Sequence, residues 1–145
     1  MKTALHAFVS IVCCFVTFLL PAQNPNLLIS YEECDSLFVC GIDTFTISIE
    51  NNGGTLPAGA TLTIALPAGL LYIPGSITGA TQLNISDLQQ PAFILGSIAS
   101  IDVVEIKILL TATCAAADSL DAGAFFPATI SVQAPNVNTS ITSNS

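Results

Sequence analysis

Five cysteines, ten carboxylates, two lysines and one histidine are the side chains of this 145-residue sequence that could bind a metal, move a proton or attack a bond. Their spacing limits the chemistry. Asp118 and Asp121, close to Gly123, are a weak candidate calcium pair that loop carbonyls would have to complete. A plain turn with a capping Asp uses the same residues. Glu32, Glu33 and Asp35 crowd around Cys34. Such a cluster reads as a solvated edge that discourages strand pairing, or as a cation-binding rim. Lys107 could close an intramolecular isopeptide bond only if buried beside an acid. Counting in twos puts it on an outward face with Glu105, so it reads as surface charge. No Cys-x-x-Cys pair is present, so zinc is not expected. No Gly-rich phosphate loop leads into a helix, and no cofactor is expected.

The histidine and one lysine belong to a separable segment. Residues 1–23 read MKTALHAFVSIVCCFVTFLLPAQ. Lys2 gives a positive start, Ala7 to Leu20 form an uncharged apolar run, and Pro21-Ala22 end it. That is the pattern of a secretory signal peptide, expected to be cut after Ala22 or Gln23. The run is short for a membrane anchor, which needs about 20 apolar residues. Ile11-Val12 is a poor lipobox for Cys13 or Cys14. After cleavage no membrane span is expected.

Processing leaves Lys107 as the one basic side chain against ten carboxylates, and removes His6. Without His, the usual general base near neutral pH and the commonest metal ligand are gone. No Ser-His-Asp arrangement can be assembled, and an enzyme is not expected. A net charge of −8 offers no basic patch to neutralise phosphates, which excludes nucleic acid as a partner. The same charge argues against anionic lipid surfaces.

These side chains have to be positioned by short strands. Phe45, Ile47 and Ile49 alternate with Thr44, Thr46, Ser48 and Glu50, the mark of a half-buried antiparallel strand. Asn51-Asn52-Gly53-Gly54 closes it with residues that turn easily. Residues 61–66 alternate again, and 70–73 and 93–95 are short apolar strands bounded by Gly and Pro. Residues 103–110 form the longest, with Val104, Ile106, Ile108 and Leu110 toward the core. Residues 125–132 supply a late strand, and Leu27 to Tyr31 a candidate first one. Apolar residues nowhere recur at helical spacing over a full helix, and 115–120 could form one turn. The expectation is an all-β, immunoglobulin-like antiparallel sandwich of about seven strands.

Three cysteines then remain, Cys34, Cys40 and Cys114. Cys40 lies just before the strand at 44–50 and Cys114 just after that at 103–110. In an immunoglobulin-like sandwich the second and fifth strands are antiparallel neighbours, which brings these two ends together. Secretion supplies the oxidising compartment. A Cys40–Cys114 disulfide is favoured, worth roughly 4 kcal/mol for so long a loop. Cys34–Cys40, closing a small loop, is the alternative.

The run Phe45 to Asn51, then Leu62-Thr63-Ile64-Ala65-Leu66-Pro67-Ala68-Gly69-Leu70-Leu71-Tyr72-Ile73-Pro74-Gly75-Ser76, resembles the conserved-repeat domain found in tandem in large bacterial surface proteins. Asn84-Ile85-Ser86-Asp87-Leu88, Gln90 to Gly96 and Ile106 to Cys114 are similar to versions in gliding-motility-associated secreted proteins. The resemblance spans about residues 38–135 and implies an immunoglobulin-like spacer or adhesive unit with no catalytic residue to transfer. In such a bacterial protein, the glycosylation-type triplets at Asn84 and Asn138 are read as coincidental. The expected organisation is a leader at 1–23, a lead-in with a first strand at 24–37, a sandwich at 38–135, and a polar tail or truncated last strand at 136–145. Function is expected to be that of a secreted or cell-surface spacer or adhesion module, the N-terminal piece of a larger protein. Its partners would be neighbouring domains and surface glycans or proteins. The alternatives are an accessory domain of a secreted enzyme, or a subunit that self-associates by edge-strand addition.

Overall fold

The computed structural model describes residues 23–32, 41–113, 128–135 and 137–142. Nine strands lie among them: β1 Leu27–Glu32, β2 Ile42–Asn51, β3 Thr61–Ala65, β4 Leu70–Tyr72, β5 Thr81–Asn84, β6 Ala92–Ile94, β7 Asp102–Ala112, β8 Thr129–Ala134 and β9 Val137–Thr142. Alternation explains the long ones. In β2, Phe45, Ile47 and Ile49 are buried while the residues between them are partly exposed. In β7, Ile106, Ile108 and Leu110 are buried, and Glu105 and Lys107 face water.

The strands form two antiparallel sheets, ordered β1-β2-β7-β4 and β5-β6-β3-β8-β9. The first order is that of the A-B-E-D sheet of an immunoglobulin constant-type domain, and β3, β8 and β9 stand where C, F and G stand. The molecule is an all-β sandwich, as the strand pattern implied. Two strands exceed the expected seven. β5, with the sequence TQLN, has a single apolar side chain and no alternation to betray it; its backbone pairing with β6 makes it a strand. β9 pairs with β8 from Val137 to Thr142, so a strand occupies most of the stretch read as a polar tail or truncated strand. That hairpin crosses the boundary expected at residue 135.

The core lies between the sheets. Ile47 and Ile106 from one sheet meet Leu62, Phe93, Ile130 and Val132 from the other in a single buried cluster. Full burial of each such side chain contributes about 1.5–3 kcal/mol. Tyr72 on β4 and Phe93 on β6 cross the gap edge to face, with ring centroids 5.3 Å apart at 84°. Tyr31 and Phe45 pack within the first sheet at 5.4 Å.

The registers define two poles. Leu27 pairs with Asn51, Asn51 with Asp102, and Leu56 bridges to Ile98, so these residues share one pole. At the other, Ile42 pairs with Thr111, Leu70 with Ala112, Ala65 with Thr129, and Thr129 with Thr142. The chain therefore enters β1 at the first pole and leaves β9 at the second.

Candidate functional site

Two polar constellations stand out among the described residues, one at the first pole and one beside β4. The first centres on Asn51, the last residue of β2. The inward phase of Phe45, Ile47 and Ile49 continues to it, so its amide is fully buried. Such a group costs stability unless every polar atom is paired. Here all are. Its Nδ2 donates to the carbonyls of Gly54 at 2.7 Å, Ile98 at 3.1 Å and Ala99 at 3.1 Å. Its Oδ1 accepts from the backbone N–H of Asn26 at 3.2 Å and of Gly53 at 3.1 Å. The Asn51 carbonyl accepts from Ile101 N–H at 2.8 Å. One side chain thus joins the lead-in to β1, the turn after β2 and the segment before β7.

The lead-in lies as a strap across this turn. Asn52 N–H donates to Asn26 O at 2.8 Å and Gly54 N–H to Asn24 O at 3.0 Å. Gly53 and Gly54 are obligatory there. A Cβ on Gly53 would strike Asn24 and Asn26, and one on Gly54 would strike Gln23. Next to them, Ile101 has φ +64° and is 85% exposed. A β-branched residue in that region is strained.

The second constellation is the segment that carries the family resemblance. Leu66, Leu70 and Tyr72 are buried, and the chain turns at Gly69 and Gly75 with φ of +92° and +80°. Tyr72 O–H donates to Gln82 Oε1 at 2.8 Å, and the same oxygen accepts from Gly75 N–H at 3.0 Å. Ser76 Oγ donates to Ile73 O at 2.7 Å and accepts from Leu109 N–H at 2.9 Å. The hydroxyl ties the Pro-Gly turn to β7. Sequence reasoning missed Asn51 and Gln82 as structural centres. The phase of β2 was a usable signal for Asn51; Gln82 carried none.

Few of the residues expected to carry chemistry lie among the described residues. Lys107 is on the outward face of β7, half exposed, with its Nζ 3.5 Å from Glu105 Oε2. That matches surface charge and removes the burial an isopeptide bond requires. Glu32 ends β1 exposed. Asn84 and Asn138 fall on β5 and β9. Gln23 begins the strap. Ala22, Glu33, Cys34, Asp35, Cys40, Cys114, Asp118 and Asp121 lie outside the described residues. Among the described residues, no three His, Cys, Asp or Glu side chains gather to hold a metal, and no helix is long and apolar enough to cross a membrane.

No family model matches this chain, and no curated protein does. Solved structures with distant likeness include three of different kinds. The GH20 exo-β-N-acetylglucosaminidase of Vibrio harveyi, in complex with N-acetylglucosamine, is 11% identical over 83% of this chain and 17% of its own, with a TM-score of 0.44. A family 123 glycoside hydrolase of Clostridium perfringens is 13% identical over 83% and 26%, with a TM-score of 0.41. AggA, the major subunit of aggregative adherence fimbriae type I of Escherichia coli, is 9% identical over 83% and 89%, with a TM-score of 0.31. This chain thus spans a minor part of both hydrolases, and likenesses this distant carry no argument about activity.

Proposed function

We propose that this protein is a non-enzymatic secreted or cell-surface module that serves as a spacer or adhesion unit of a larger surface protein of the conserved-repeat kind. The observation that carries this reading is polar: β1 begins at one end of the sandwich and β9 finishes at the other. Units built this way join end to end in a line. Tension between the ends loads β1 against β2 and β9 against β8 along the strand direction. Each of those pairings has six residue pairs in register, which share the load rather than opening one by one. The motif residues Leu66, Leu70, Tyr72 and Ser76 support the same reading, because they hold the frame together. Adhesive contacts fall to exposed loops and faces.

Single-molecule pulling tests the reading. Pulled through its two ends, the domain should unfold in one step at a clearly higher force than when the β8–β9 hairpin is peeled from one side. Equal forces in the two geometries would remove the spacer role. Protease shaving of intact producing cells should release its peptides; their retention inside the cell would oppose a surface location.

A further inference from the structure

The turn after β2 contains Asn52–Gly53, a pair whose chemistry none of the roles above uses. In a flexible chain this pair reacts with itself. The backbone nitrogen of the Gly loses its proton and attacks the side-chain carbonyl carbon of the Asn. A new N–C bond forms, the amide C–N bond breaks, and ammonia leaves a five-membered succinimide. Water then opens the ring to aspartate or isoaspartate. Gly accelerates the attack because it has no Cβ to obstruct the approach. Asn52 is exposed, so water reaches it.

The structure restrains the attacking group. Gly53 N–H donates to Asn51 Oδ1 at 3.1 Å in a buried hydrogen bond, which holds its proton and its orientation. The peptide on the other side of Asn52 is fixed by its own N–H donating to Asn26 O at 2.8 Å. The strap closes over the turn so tightly that Gly53 and Gly54 have no room for a Cβ. Asn51 cannot react in the same way, because its buried amide has all its hydrogen bonds in place and the N–H of Asn52 is engaged.

We infer that Asn52 is a latent self-modification site, held in the amide form by the Asn51 clamp and the residue 23–26 strap, and converted to aspartate or isoaspartate when either opens. The reaction needs only water. Isoaspartate inserts an extra methylene into the backbone, so Asn51 and Gly53 no longer meet in the same geometry. A domain that has stayed open is thereby chemically marked and recloses imperfectly.

The test follows amide-to-acid conversion at Asn52 by peptide mass mapping at mildly alkaline pH. The full chain is compared in native buffer and in urea, alongside a synthetic peptide covering Glu50 to Thr55. The urea sample should react as fast as the peptide and the native sample at least about tenfold more slowly, since reaction then requires local opening. Equal rates for native chain and peptide would overturn the proposal. Asn51→Ala, if folded by circular dichroism, should lose most of the protection. A folded Asn51→Ala chain that stays protected would refute the clamp. Amide hydrogen exchange in the unaltered chain decides the matter even if that variant does not fold: Gly53 N–H should exchange slowly, and fast exchange would exclude the mechanism.

Discussion

Asn51 shows how one side chain can set the architecture of a whole end. A polar residue at an inward strand position is unfavourable by composition, yet its five hydrogen bonds make it a junction for three segments. Replacing it with Leu leaves two N–H groups and three carbonyls to find new partners. The expected loss is about 3 kcal/mol, read as a lower urea midpoint with an unchanged slope. Ile101 works in the opposite direction. Its left-handed backbone is strained, and its exposed side chain gains little from packing. Ile101→Asn, which tolerates that conformation, should raise stability by about 0.5–1 kcal/mol, seen as a higher thermal midpoint. An unchanged or lowered midpoint would show that the Ile side chain makes a stabilising contact.

Single strands show where local reading succeeds. The alternation in β2 and β7 is strict enough that their inward faces could be named residue by residue; the named positions are buried except Val104, which is partly buried against the core. β5 shows where it fails, because a polar edge strand has no apolar phase to read. The pairing of β2 with β7 reaches one residue beyond the start of β2. Gly41 O accepts from Ala112 N–H at 3.3 Å and from Thr111 Oγ1 at 3.1 Å. Cys34, Cys40 and Cys114 lie outside the described residues, so the expectation stays that of the sequence, Cys40–Cys114 with Cys34–Cys40 as the alternative. Peptide mapping of the chain without reduction should recover the first pair; recovery of the second would reject that expectation. Beside β4, Tyr72→Phe deletes the hydroxyl bonded to Gln82 while keeping the ring against Phe93. The expected cost is about 1 kcal/mol by chemical denaturation, far less than about 3–5 kcal/mol for Tyr72→Ala.

At the scale of the molecule, the sheet edges decide whether copies associate. β4 has only three residues, β5 carries a register irregularity between Gln82 and Asn84, and the two six-residue edges, β1 and β9, lie against each other where the sheets meet. Short edge strands and irregular ones are poor templates for another chain. The net charge of −8 adds mutual repulsion between copies. Light scattering on the purified chain should therefore give one monomer mass across a wide concentration range. Growth of the mass with concentration would revive association by strand addition.

Composition and two-residue rhythm were enough to set the all-β class, the faces of the long strands and the shortage of catalytic groups. Those properties are local: whether a strand residue faces core or water follows from its neighbours one and two places away. Tertiary structure alone decided the sheet order, the added strand β5, the opposed poles and the place of Asn51. Each depends on partners distant in the chain, such as Asn51 and Ile98, 47 residues apart, whose hydrogen bond exists only once register has been chosen. Register is selected by the packing of both sheets together, and no window of sequence contains both sheets at once.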